Sequence, residues 1–171
     1  MSSFERFFVR ESINLRITPK RDSSLRRLES ETLMIIEIAQ LRDFAKRYTA
    51  AWCSRDAASV ATFFAPNGSL SVNGALAAGR GAITEVAQGF MTAFPDMELL
   101  IDDVRIEGDR ATYHWTFIGT NKGPGGTGHR VRFSGFEKWK IGEDGLIAES
   151  QGHFDSAEYQ RQLEHGVEES R

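Results

Sequence analysis

Apolar residues recur along this chain with two different periods, and the change of period divides it. From Met34 the spacing is three or four residues: Leu41, Phe44 or Ala45, Tyr48 and Trp52 make one stripe, the mark of a helix buried on one side. Asp56 is placed to cap a second, short helix whose buried side is Val60, Phe63 and Phe64, and "APNGS" ends it with turn residues. "SLSVNG" reads as a short strand. "GRGAITEVAQGFMTAFPD" reads as a third helix, with Ile83, Val86, Ala87, Phe90 and Phe94 on one face and Pro95 as its stop.

After Asp96 the period falls to two. Strands are predicted at Met97 to Glu107, Arg110 to Thr120, Arg130 to Ile141 and Leu146 to about Phe154. "EGD", the glycine-rich "NKGPGGTG" and "GEDG" join them, and a short polar helix starts at Ser156. Strands in succession with short turns predict an antiparallel meander. About three helices followed by such a sheet predict an α+β fold.

Composition changes this picture little. The 171 residues suffice for one domain with its own core, and 40% hydrophobic with 11% aromatic residues is a globular composition. A net charge of -3 without a basic block argues against a nucleic-acid surface, and no apolar run is long enough to span a bilayer. Cys53 is the single cysteine, so no internal disulfide can form. Residues 1–33 mix basic and acidic side chains with serines and lack both the apolar core of a signal peptide and the acid-poor composition of a transit peptide. They are expected to form a loose extension, helical at most near Ser23 to Thr32. The domain is expected at 34–165, a tail at 166–171, and a cytoplasmic location.

The candidate chemistry lies in "GFEKWKIGEDGLIAESQGHFD". Period-two alternation puts Glu137 on the face of Val131, Phe133, Gly135 and Trp139, an apolar setting that disfavours a charged carboxylate. A carboxyl so placed can donate a hydrogen bond to an enolate oxygen or shuttle protons. The plainer alternative pairs Glu137 with Arg132, Lys138 or a buried donor. His153 shares parity with Glu149, Gln151 and Asp155 and is a candidate base near Glu137; the alternative is a surface or interface histidine. Tyr113, Trp115 and Phe117 are assigned to the core face of their strand and His114 to the outer face. The histidines are too scattered for a metal site, "GPGGTGHR" lacks the ending of a phosphate loop, and Cys53 beside Trp52 is read as a small buried hydrophobe.

The segments "RYTAAWCSRDAASVATFFAPNGSL", "FPDMEL", "HWTFIGTNKG" and "GFEKWKIGEDGLIAE" occur in an order that resembles the NTF2-like superfamily, and within it the SnoaL-like polyketide cyclases and ketosteroid isomerases. The resemblance covers roughly Ile38 to Leu163. It implies an α+β cone whose curved antiparallel sheet encloses a pocket capped by the helices. It also implies an outer sheet face that often meets a second subunit, hence a homodimer. By that likeness Glu137 matches the catalytic acid and Tyr48 an oxyanion-hole donor, although Tyr48 also fits a core tyrosine. Two positions depart from the pattern. Val72 stands where the isomerases carry their basic Asp, with Asn73 beside it as an inward-pointing candidate. Asn121 stands where the cyclases carry a histidine.

Three functions follow as expectations. The first is a cofactor-free enzyme acting on a small, largely apolar carbonyl compound. Glu137, Tyr48 and His153 would be its catalytic groups. Trp52, Trp115, Phe117 and Trp139 would line the pocket, and Asn73, Asn121 and Gln151 would contact the substrate. The second is a ligand-binding module without turnover. The third is a dimerisation domain with a vestigial pocket. No nucleic acid, membrane or metal is expected as a partner.

Overall fold

The computed structural model describes residues 23–167, with the backbone alone at 33–36. Of the extension expected at 1–33, residues 1–22 lie outside the described residues and 23–33 are helical; of the tail expected at 166–171, residues 168–171 lie outside them. The chain divides into two compact units, Met1–Glu37 and Ile38–Arg171. Helix α1, Ser23–Cys53, begins earlier than the apolar stripe at Met34 suggested.

In the second unit the elements are the remainder of α1, α2 (Ala57–Ala61), β1 (Phe64–Val72), β2 (Ala75–Ala78), α3 (Gly79–Ala93), β3 (Glu98–Glu107), β4 (Arg110–Thr120), β5 (Arg130–Ile141), β6 (Ile147–Phe154) and α4 (Ser156–His165). This is the expected α+β class, with the strands in one curved, unclosed sheet of order β2-β1-β6-β5-β4-β3. No helix among the described residues is long and apolar enough to cross a membrane.

The first half of the sheet departs from a plain meander. Phe64 opens β1 instead of closing α2, and β1 pairs parallel with β6, so the sheet is mixed. The Pro-Asn-Gly stretch lies inside β1, where the register shifts between Phe64 and Ser69. Gly68 makes that shift possible: a Cβ there would come within 2.7 Å of the Ile147 carbonyl. Asn73 and Gly74 form a tight turn with φ of 47° and 88°, the left-handed pair that joins strands in a two-residue hairpin, and it adds β2.

From β3 onward the predicted strands stand where alternation placed them. Val131, Phe133, Glu137 and Trp139 are buried in β5, while Arg132, Ser134 and Lys138 are exposed. The buried faces of β4 and β5 form the core against Tyr48 and Trp52 of α1 and Ile83, Ala87 and Met91 of α3. The sheet leaves one backbone edge to be repaired, because β6 pairs with β5 only from Gly135 onward. Gln162 of α4 repairs it: its side-chain oxygen accepts the Arg132 N–H at 2.6 Å, and its amide NH₂ donates to the Arg132 carbonyl at 2.9 Å. Asp155 caps this helix by accepting the N–H groups of Ala157 and Glu158.

Candidate functional site

Glu137 is held by three elements. β5 turns it inward opposite Gly152 of β6 and Tyr113 of β4. Three donors converge on one carboxyl oxygen, Oε2: the Trp139 indole N–H at 2.8 Å, the Ser150 hydroxyl at 2.8 Å and the Tyr48 hydroxyl at 3.1 Å. None of these bonds reaches Oε1. Gly152 has no side chain to fill the space beside the Glu137 stem, where a Cβ would lie 3.7 Å from Cγ.

The surroundings of this carboxyl are aromatic. Tyr48 meets the Trp139 ring edge-on at 5.1 Å, Tyr113 stacks on Trp139 at 4.8 Å, and the two tyrosine rings meet each other at 5.8 Å. The Tyr113 hydroxyl is bonded to Thr49 at 2.7 Å. Burial pushes the Glu137 pKa above the ordinary carboxylate range, while the hydrogen bonds from Trp139, Ser150 and Tyr48 pull it part of the way back. Burial, with the Glu137 charge second, raises the Tyr48 phenol well above its ordinary value, so Tyr48 stays protonated and donates.

A cavity of about 50 Å³ opens beside the carboxyl. Its wall is apolar apart from Glu137: Leu70 and Val72 of β1, Leu99 of β3, Trp115 and Phe117 of β4, Phe133 of β5, Phe154 of β6, Trp52 of α1 and Phe90 of α3 all contribute. Phe90, Val72 and Phe154 are only half-buried. That interior has room for about three to five water-sized groups, so a larger ligand would have to spread among these half-buried residues. Trp52 and Trp115 among these residues have buried indole nitrogens without a protein acceptor.

The expected site residues therefore separate. Glu137, Trp52, Trp115 and Phe117 come together at the cavity, and Trp139 stands behind Glu137 as a donor. Tyr48 is bonded to Glu137 but does not line the cavity; its one proton is already used, so it positions the acid instead of offering a free second donor. His153 corrects the expectation of a base. It shares a face with Glu149 and Gln151, but that is the outer face, because Ser150, Gly152 and Phe154 take the inward parity of β6. His153 is exposed and lies against Phe136 at 5.2 Å, with His114 on the same ring at 5.8 Å. Gln151 donates to Glu149, which also accepts from Arg110 at 3.3 Å, all away from the cavity.

Asn73 and Asn121 are likewise structural. Asn73 sits exposed in its turn and accepts the Phe154 N–H at 3.0 Å. Asn121 ties the β4–β5 loop together by accepting the Thr127 N–H at 2.8 Å and donating to the Ala93 carbonyl. Gly123 sits so close to α3 in this loop that a Cβ would come within 2.3 Å of the Thr92 carbonyl. Val72 lines the cavity and offers no proton acceptor. Ser150, the third donor on Glu137, is a site residue that the sequence did not single out; only the strand pairing, which sets it opposite Trp139, shows that its parity is the inward one.

Among the described residues no three His, Cys, Asp or Glu side chains gather as metal ligands do. Compared with known proteins, residues 42–163 match the family model for SnoaL-like polyketide cyclases. Among solved structures, TsrD from Streptomyces laurentii superposes with a TM-score of 0.64 at 26% identity, covering 73% of this chain and 95% of that one. A protein with a ketosteroid isomerase-like fold from Catenulispora acidiphila, solved with trimethylamine, gives 0.63 at 18% identity, with 70% and 91% covered. AclR from Streptomyces galilaeus gives 0.63 at 21% identity, with 73% and 96% covered. A comparison with curated proteins finds no match.

Proposed function

This chain belongs to the SnoaL-like polyketide cyclase family, and from that premise we propose that it binds a small apolar carbonyl compound and that Glu137 moves a proton on it. One observation carries the reading: a buried carboxyl has one oxygen fixed by three donors and contributes the only polar side chain, apart from two indole N–H groups, among the described residues of an otherwise apolar cavity. Fixing Oε2 leaves Oε1 as the oxygen for exchange with a ligand. A raised pKa brings the carboxyl nearer the working pH, where it is both a competent base and a competent acid.

The step is a proton shift. Oε1 takes a proton from a carbon next to the carbonyl, the C–H electron pair forms the enolate double bond, and the carbonyl π pair moves to oxygen. The neutral acid then returns the proton to oxygen or to another carbon. With Val72 in the wall and Asn121 committed to a loop, one carboxyl performs both halves. Tyr48, Trp139 and Ser150 orient it and share its charge while it is ionised. The test is deuterium exchange into the methyl group of acetophenone in D₂O, followed by proton NMR. Wild type should exchange it faster than buffer, and Glu137→Gln should not; equal rates refute proton transfer.

Val72 and Asn121 favour a second reading, in which the same cavity holds its ligand without turnover. Saturable binding with no exchange selects it. A second copy of the chain would meet this one on the outer sheet face, where Phe136 lies between His114 and His153 and Leu100 is exposed; sedimentation decides that point.

A further inference from the structure

Two of the side chains that line the cavity carry polar groups that take no part in this scheme, the indole N–H groups of Trp52 and Trp115. Both side chains are more than nine-tenths buried, at 7% and 8% exposure, and both line the cavity. Neither Nε1 has a protein acceptor, although burial normally demands one. Trp139 shows the contrast, because its N–H is bonded to Glu137. The Trp52 N–H is near enough to the Tyr48 phenol to work against the rise in its pKa, yet completes no hydrogen bond with it.

Trp115 is seated firmly. Its benzo edge lies on the bare backbone of Gly135, where a Cβ would come 2.5 Å from Cζ2 and 2.6 Å from Cη2. Phe133 and Phe154 pack edge-on against it at 5.9 Å and 6.3 Å. The ring cannot swing toward an acceptor in the protein without leaving that seat. The side chains that line the cavity therefore carry two unpaired donors and one carboxyl, among aliphatic, aromatic and glycine neighbours. An indole N–H donates and never accepts. The matching ligand carries bare acceptor oxygens on a flat apolar body.

We infer that Trp115, assisted by Trp52, is a ligand-recognition residue whose indole N–H donates to the oxygen of a conjugated ketone or its enolate. This rests on the carbonyl-ligand reading above and adds the group that selects the oxygen. As Glu137 removes the α-proton, negative charge grows on that oxygen, and a prepositioned donor in an apolar site strengthens as it grows. Glu137 handles the C–H bond; Trp115 handles the oxygen. Any water in the cavity would serve the same donor and would be displaced by the ketone oxygen.

The test compares acetophenone with α-methylstyrene, which keeps the planar shape and replaces the oxygen by a methylene group. The full chain carries ¹⁵N label, and its three tryptophans give three indole signals, assigned with Trp52→Phe and Trp115→Phe. Acetophenone should bind about tenfold more tightly, the ratio of one modest buried hydrogen bond. It should move the Trp115 indole proton downfield and leave that of Trp139 in place. Trp115→Phe should abolish the preference between the two probes. If that variant does not fold, benzothienylalanine at 115, with sulfur in place of N–H, makes the same comparison. Equal affinity for both probes, binding of neither, or a stationary Trp115 signal overturns the assignment. Deuterium exchange reads the other claim separately: preference without exchange refutes proton transfer and keeps Trp115 as the recognition residue, and exchange without preference does the reverse.

Discussion

Replacing Glu137 by leucine and by glutamine separates two consequences of burying this acid. Leucine has similar bulk and no polar atom. It strands the Tyr48 hydroxyl, the Trp139 N–H and the Ser150 hydroxyl, whose side chains are 0%, 0% and 1% exposed. A buried donor without an acceptor costs about 1–3 kcal/mol, so three would cost about 3–9. The two hydroxyls can rotate toward other oxygens while the indole cannot, which brings the expected loss to about 3–5 kcal/mol. For a chain of this size that is a fall in Tm of roughly 6–20 °C. Glutamine keeps an acceptor for the three donors and places its NH₂ where Oε1 was. It copies the shape of the protonated acid and should stay within about 1 kcal/mol of wild type at about pH 5.

The pH dependence then tests the charge. The folded pKa of Glu137 is raised, so between the ordinary carboxylate range and its own value the folded chain holds a proton that the unfolded chain has released. Stability from this group is complete below that range and is lost as pH rises through the folded pKa. Each pH unit separating the folded from the unfolded pKa is worth about 1.4 kcal/mol. Glutamine does not titrate, so Glu137→Gln should gain on wild type as pH rises from the ordinary carboxylate range to the folded pKa of Glu137, and no further above it. Urea unfolding of both chains across that range is the assay. A constant difference, or a glutamine variant as unstable as the leucine one at every pH, would show that the three donors hold a full charge at no cost, and the argument from burial would fail.

Three other substitutions probe the frame around the acid. Gly135→Ala places a methyl group against the Trp115 ring and the His153 carbonyl, each 2.5 Å away, and should cost about 1–3 kcal/mol in urea while weakening acetophenone binding. Unchanged binding would mean that the Trp115 seat is dispensable. Gln162→Leu leaves the Arg132 N–H and carbonyl unpaired and should cost about 1–3 kcal/mol, with faster hydrogen exchange at the Arg132 amide. An unaltered exchange rate there would refute the edge repair. His153→Ala should leave deuterium exchange within about twofold of wild type, because the imidazole is on the outer face; a loss of about tenfold would return it to the mechanism.

The second half of the fold was legible because period-two alternation leaves little freedom once one face is buried. Arg110–Thr120 and Arg130–Ile141 stand at the predicted limits. The first half was obscured by turn residues that do not end a strand. Pro66, Asn67 and Gly68 read as a stop, yet β1 runs through them because its bulge needs a residue without a side chain against Ile147. Asn73-Gly74 is a strong hairpin signal, and the strand it implies, β2, is short enough to be lost between that turn and the start of α3.

The site divides along the same line. Alternation placed Glu137 inward correctly but could not say which parity of β6 faces it. A polar series, Glu149, Gln151 and His153, looked more like chemistry than Ser150, Gly152 and Phe154, and burial reversed that preference. The inward set is small because the outer carbon chain of Glu137 and the cavity both need space, and Gly152 and Ser150 supply it while one of them also donates a hydrogen bond. What looked like a missing base is thus a geometric consequence. Under the proton transfer proposed above, with Val72 in the wall, His153 outside and Tyr48 spent on Oε2, the described residues leave Oε1 of Glu137 as the one atom to carry the proton. A single such atom can only return a proton to the face from which it took it. Any isomerisation here should therefore be suprafacial, and deuterium from a labelled α-carbon should reappear in part on the product carbon. Complete washout into solvent at every turnover would mean that a second proton carrier enters the cavity.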